Sequence, residues 1–313
     1  MRLLTIFKDL NENFFNQALD IFSIEENSED LAAKKLETAY YTNMKLVYKQ
    51  LPFDADIFLK KVLKDGSIRK DDILYDNIER ISRFGLIKVS EENKNSDVTN
   101  ISFDRNFIVQ FLQFLEDNPE IKLRDQEIKE VILGALLSHG MMKSTEVTNV
   151  LVKTKLIAQG EMKWLELFHF YMTKIKENEI QMFQNNTGIM YLASSPVYNS
   201  WEEPFYVKPK VFHSKEIYKS LGRILEAPEI NNIIKEAENL GVKNHSLDLD
   251  IVSNLIKETP FEKTLEQIEN KVGHPIINNA LFKHNLAKLY NKTPIISKGG
   301  LINPNRVALS WRN

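Results

Sequence analysis

The side chains that could do chemistry are few and scattered. Six histidines stand at His139, His169, His213, His245, His274 and His284, and no two share the i, i+4 spacing by which one helix face holds a metal ion. There is no HExxH run, and a chain without cysteine has no thiolate nucleophile, cysteine zinc site or iron–sulfur ligand. His169 lies in the apolar run WLELFHFYM, where a structural histidine is expected rather than a ligand. Carboxylates pair at Asp71-Asp72, Glu202-Glu203 and Asp248/Asp250, but general acid–base work needs a carboxylate oriented toward a partner, and nothing in these spacings orients one. Asp248 and Asp250 instead stand where a helix starts and complement its dipole. No GxSxG elbow, GxGxxG turn or GxxxxGK[ST] loop occurs. The sequence therefore assigns no catalytic residue, no metal ligand and no cofactor, and the chain reads as non-enzymatic.

What remains is local positive charge in a chain of net charge −2. Residues 60–88 carry eight basic and five acidic side chains, and residues 141–176 carry six and three. In the first block Lys64, Arg69, Lys70, Arg80 and Arg83 suit phosphate contact, and Asn77 has the donor and acceptor that an adenine edge requires. Asp71, Asp72, Asp76 and Glu79 share that segment and oppose a phosphate backbone. In the second block Lys143, Lys153, Lys155 and Lys163 suit phosphates without reading bases. A third feature is the strip Ser194–Pro209, with three prolines and four aromatic rings. It reads either as packing against a neighbouring domain or as a partner-binding segment through Trp201, Phe205 and Tyr206.

The elements that must position these residues follow from periodicity. Leu3, Leu4, Phe7, Leu10, Phe14 and Phe15 recur at helical spacing, and so do Leu31, Leu36, Tyr40, Met44, Val47 and Tyr48 over Asp30–Gln50. The rings at Phe14, Phe15, Tyr40 and Tyr41 read as core packing or, alternatively, as a stacking platform. A helix is expected over Phe53–Lys64, a short extended piece at Ser67-Ile68, and a helix over Lys70–Phe84 with Ile73, Leu74, Ile78 and Ile81 inward. Gly85 ends that helix, and Leu86–Val89 and Val98–Phe103 alternate as a hairpin around a polar tip at Glu91–Asp97. Arg105–Leu115 reads as a linking helix ended by Asn118-Pro119.

The same grammar returns downstream. Gln126–His139 places Ile128, Val131, Ile132, Ala135 and Leu136 on one face, Gly140 stops it, and Ser144-Thr145-Glu146 starts the next helix. Trp164–Ile175 is a third helix, apolar on more than one face. Glu179–Phe183 and Gly188–Ala193 flank the turn Asn185-Asn186-Thr187-Gly188. Helices followed by a hairpin is the order of a winged helix. Beyond the aromatic strip, helices are expected over Ser214–Leu225, Glu229–Leu240 after Pro228, Leu247–Glu258, Pro260–Val272 and Pro275–Tyr290, then an irregular tail. The fold class is mainly α with small β-hairpins (α+β). Its expected parts are an N-terminal helical segment (1–52), winged-helix-like units at 53–118 and 119–198, an aromatic linker (199–213) and an all-α domain (214–313).

Two phrases carry a resemblance. Leu289-Tyr290-Asn291-Lys292-Thr293-Pro294, followed by Lys298-Gly299-Gly300 and Asn303-Pro304-Asn305, resembles the LYNNTP…KGHTPNE signature of a group of uncharacterised bacterial proteins, many ending in a SEC-C zinc motif. Phe205-Tyr206-Val207-Lys208-Pro209 is similar to their YYIP phrase at the same relative place. Over residues 125–305 the resemblance implies winged-helix-like units ahead of an α-helical region, and it implies no activity. Without cysteine the zinc motif is not expected here, and GGLINPN stands where the group has GHTPN.

Two functions fit these features. One is a regulatory or interaction protein of a bacterium or its mobile elements, contacting duplex DNA through the first unit. The other is a protein-binding scaffold or inhibitor, for example of a phage- or plasmid-related process, with no nucleic-acid contact. The chain lacks an apolar run near membrane-spanning length, and Lys8, Asp9 and Asn11 interrupt any signal-peptide core, so no membrane and a cytoplasmic location are expected. Oligomeric state leaves no mark in the sequence.

Overall fold

The computed structural model describes residues 1–72, 74–90, 97–162, 164–175, 179–184, 187–195, 212–239, 247–272, 279–295 and 302–307, with the side chains of residues 164, 165, 225, 249 and 272 also outside that description. It is mainly helical with two three-stranded antiparallel sheets, an α+β architecture. The chain divides into two compact units: residues 1–125 with 169–175, and residues 126–168 with 176–313.

The first unit opens with α1 (Leu3–Lys8), α2 (Glu12–Ile21), α3 (Glu29–Thr42) and α4 (Met44–Lys49). Asn11 starts α2 by accepting from the Asn13 amide, and Asn43 breaks the expected Asp30–Gln50 helix into α3 and α4. Next come α5 (Ala55–Asp65), β1 (Ser67–Arg69), α6 (Asn77–Arg83), β2 (Ile87–Val89), β3 (Val98–Phe103), α7 (Arg105–Asp117) and the start of α8 (Pro119–His139). The strands pair in the order β1-β3-β2, with Ile68 opposite Thr99 and Lys88 opposite Ser102.

Tyr40 is the centre of this unit. It is fully buried among Phe7, Phe22, Phe84 and Phe107, with ring centroids 4.9 to 6.0 Å away. Its hydroxyl donates to the Phe84 carbonyl at 2.6 Å, satisfying the one polar atom the ring carries inward. Tyr40 and Phe15 are core residues, so of the two readings of these rings packing holds for them. Asp104 ties the unit's ends together. One oxygen caps α7 through the Phe107 amide and the other accepts from the Leu3 amide, both at 3.0 Å.

The expected Lys70–Phe84 helix is shorter. It begins only at Asn77, and residues 70–72 and 74–76 form turns. Asp72 explains the delay: its Oδ1 accepts from the Leu74 amide at 2.9 Å, a local bond that competes with helix formation. Arg69 consequently ends a strand and Lys70 lies in a turn, so neither sits on the helix where it was expected. Ile73 and most of the polar tip (91–96) lie outside the described residues.

The second unit holds the rest of α8, β4 (Met141–Lys143), α9 (Ser144–Lys153), the first half of α10 (Trp164–Lys174), β5 (Ile180–Gln184) and β6 (Met190–Ser194). Its sheet order is β4-β6-β5, with Met142 opposite Leu192 and Met182 opposite Leu192 across the two ladders. Asn185 and Asn186 of the expected turn lie outside the described residues. The C-terminal elements are α11 (Lys215–Gly222), a 3₁₀ turn (Ile224–Glu226), α12 (Pro228–Asn239), α13 (Leu247–Ile256), α14 (Phe261–Val272) and α15 (Ala280–Lys292).

Three readings change here. Ser214–Leu225 is not one helix, because Arg223 turns the chain into the 3₁₀ segment. Asn279, extended and accepting from the Phe282 amide at 2.9 Å, starts α15 at Ala280, so Pro275–Tyr290 is not one continuous helix, and Pro275 itself lies outside the described residues. Helix α8 is buried from Ile128 through Leu137 on every side, not along one stripe.

The reason for that burial is the crossing of α8 by α11. A Cβ at Gly134 would stand 1.8 Å from the Tyr218 carbonyl oxygen, and one at Gly222 would stand 2.0 Å from that of Glu130. Only two glycines let the backbones approach so closely. Leu137 then joins Leu221, Ile233, Leu255, Phe282 and Leu286 in the C-terminal core. Among the described residues, no helix is long and apolar enough to cross a membrane.

Candidate functional site

The residues expected to meet DNA do gather around β1 and α6, but two of the cations, Arg69 and Arg83, are paired with acids. Arg69 forks onto Asp71 with two bonds of 3.0 Å. Arg83 pairs with Glu79 one turn earlier on α6 and lies over the Phe14 ring at 5.3 Å. Lys61 pairs with Asp72, and Lys60 with Glu116 at 2.8 Å. Lys64 and Lys70 are exposed, and Arg80 is half-buried on α6. Asn77 is buried at the start of α6, with its amide nitrogen donating to Asp54 Oδ1 at 2.8 Å, so its carboxamide anchors a helix rather than facing out toward an adenine. Two of the acids that opposed phosphate in the sequence, Asp71 and Glu79, are thus the partners of two of the bases that favoured it, Arg69 and Arg83.

In the second block Lys153 and Lys155 are exposed, and the helix beside them is largely buried. On α10, Leu167, Phe170, Tyr171 and Ile175 beyond its end are buried, and Met172 is exposed. Lys153 is exposed and stands over the Phe212 ring at 3.5 Å, a cation–π contact. Lys163 lies outside the described residues, as do Trp201, Phe205 and Tyr206 of the aromatic strip.

Three polar clusters were invisible in the sequence. In the second unit, His139 Nε2 and the Tyr218 hydroxyl lie 2.9 Å apart, and the same hydroxyl accepts from the His213 amide at 3.0 Å. The two imidazoles stack with centroids 5.7 Å apart. Burial pushes His139 down to about 4, with the nearby His213 adding to it, and burial also lowers His213. Both rings are therefore neutral near pH 7. Among the described residues, no group of three or more histidines or acids is placed to hold a metal.

The other two clusters are buried lysines with opposite outcomes. Lys129 is 3% exposed and meets Glu226 at 2.8 Å and Glu179 at 3.1 Å. Burial disfavours its ammonium, yet the two carboxylates outweigh that cost and hold its pKa above the ordinary lysine value. Lys174, in the first unit, is equally buried but poorer in partners. Its Nζ donates to the Tyr48 carbonyl at 2.7 Å and lies 3.5 Å from the Tyr48 ring centroid, while Asp125 Oδ2 is 3.7 Å away. Burial lowers it to about 7. His169 is half-buried, and its Nε2 has no hydrogen-bond partner among the described residues.

An open cleft of about 420 Å³ in the second unit is lined by Glu130, Arg223, Glu226, Glu229, Leu289 and Lys292. Its charges are also paired, Arg223 with Glu130 at 2.8 Å and Lys292 with Glu229 at 2.5 Å. No protein-family model, curated protein or solved structure matches the chain.

Proposed function

We propose that the chain is a non-enzymatic interaction protein built on two winged-helix-type units, and that it engages a protein rather than duplex DNA. Two features support the winged-helix reading. Each unit has a helix, a short strand, further helical structure and a hairpin, and each sheet places the last strand between the other two. The observation that carries the choice of partner is the pairing of the first unit's cations. Arg69 with Asp71, Lys61 with Asp72 and Arg83 with Glu79 reduce the charge this stretch offers to phosphates, and nucleic-acid affinity scales with the phosphates neutralised. Trp201, Phe205 and Tyr206 are the segment we assign to the partner, on their aromatic composition.

The DNA reading retains one favourable observation, the exposure of Lys64, Arg69, Lys70 and Arg83 on one stretch of chain. Fluorescence anisotropy with a labelled duplex at low salt separates the two. Weak binding, indifferent to sequence and to Arg80→Ala with Arg83→Ala, is the expected result. Tight binding lost in that double variant would establish the DNA reading instead. A partner recovered with the wild-type chain should be lost with Trp201→Ala, and one retained by that variant would remove the aromatic strip from the account.

A further inference from the structure

The segment His169–Ile175 belongs to the first unit although residues on both sides of it belong to the second. His169 bonds to the Lys49 backbone, and the buried attachment runs through Lys174. The ammonium is fully enclosed, with one hydrogen bond to the carbonyl of Tyr48 and the face of the Tyr48 ring against it. The nearest carboxylate oxygen, on Asp125, stands at 3.7 Å, beyond hydrogen-bond length. Two further polar atoms of this segment, Tyr171 Oη and His169 Nε2, are buried without a hydrogen-bond partner among the described residues, as is the Tyr48 hydroxyl. A site that leaves so many polar atoms unmatched holds its segment less firmly than an apolar one would.

We infer that His169–Ile175 is a strap latched to the first unit by Lys174, and that the latch tightens when the Lys174 ammonium gives up its proton. A neutral amine costs far less to bury, and it still has N–H groups to donate to the Tyr48 carbonyl. The charged groups around it cannot hold the proton. From α8, Lys122 repels it, while Asp56 on α5 attracts but is engaged by Lys122 at 2.7 and 2.8 Å. Asp125, with Arg124 and Lys49 beside it, is itself held above the usual aspartate range by burial. On the strap itself, His169 is also disfavoured as a cation by burial.

The direction follows from linkage. Lys174 falls from its ordinary 10.5 to about 7 when docked, so the released strap binds the extra proton between those values. Docking is strongest above the ordinary value, weakens by at most about tenfold per pH unit as pH falls toward 7, and changes no further below it.

Amide hydrogen exchange of the full chain between pH 7 and pH 9, corrected for intrinsic rates, reads this directly. The amides of 169–175 should gain up to about tenfold protection per pH unit, and Lys174→Met should be protected with no such pH dependence. A flat wild-type profile, or the same slope in Lys174→Met, would overturn the proposal. NMR titration of the Lys174 side chain gives a check that needs no variant. A midpoint near 7 supports the latch, and one near the ordinary lysine value contradicts it.

Discussion

Gly134 and Gly222 stand in reciprocal contact: each lies against the carbonyl oxygen of the residue four before the other, Tyr218 for Gly134 and Glu130 for Gly222. This places two helix backbones at a distance that no side chain permits. The flanks of the crossing are held by charge, with Lys219 on Glu127 at 2.6 Å and Arg223 on Glu130 at 2.8 Å. The C-terminal helices therefore attach to the helix that opens the second unit, not merely to a linker. Gly134→Ala or Gly222→Ala should destabilise that unit by about 3 kcal/mol or more, since the displaced atoms are backbone and cannot rotate away. Denaturant unfolding followed by circular dichroism measures this, and a loss below about 0.5 kcal/mol would contradict the crossing.

The two buried lysines should respond unequally to loss of charge. Lys129→Met leaves Glu179, 7% exposed, without its cation and should cost about 3–5 kcal/mol. Lys174→Met removes an ammonium whose nearest carboxylate is out of hydrogen-bond range, and should cost clearly less than Lys129→Met. Equilibrium unfolding of the two variants side by side tests the contrast. Equal destabilisation would mean that the partners of the two ammonium groups are not what separates them.

His139 gives the second unit an acid sensitivity. Its folded-state pKa is depressed to about 4 from 6.5, so the unfolded chain binds the extra proton in that interval. Its contribution to stability is whole above pH 6.5, falls as pH drops toward 4, and is then constant. Thermal unfolding of His139→Gln across this window should show a smaller fall in midpoint than the wild type. Parallel profiles would exclude His139 as the source.

Much of this fold was written locally. The hairpin strands β2 and β3 alternate and follow Gly85, whose φ of +71° suits the turn out of α6, and Val98–Phe103 is a strand over its full expected length. Errors arose where short polar side chains redirected the backbone, as Asp72 does before α6 and Asn43 does between α3 and α4. The DNA candidates were legible as a list of cations but not as pairs, because a sequence shows charge without showing which acid answers it. The buried clusters were illegible for a different reason. Lys174 finds its acceptor at Tyr48, 126 residues away, and His139 finds Tyr218, 79 residues away, and no local pattern encodes such separations. Gly134 and Gly222, each inside an expected helix, were the local signs of the α8–α11 crossing.

The central claim is that acids on the first unit cancel its phosphate-binding charge. The direct measurement is duplex-DNA affinity against salt concentration for the wild type and for Asp71→Asn with Glu79→Gln, which frees Arg69 and Arg83. The account predicts weak wild-type binding and a tighter variant, whose affinity falls more steeply with salt by about one to two in the log–log slope. Tight wild-type binding with the same slope as the variant would contradict it.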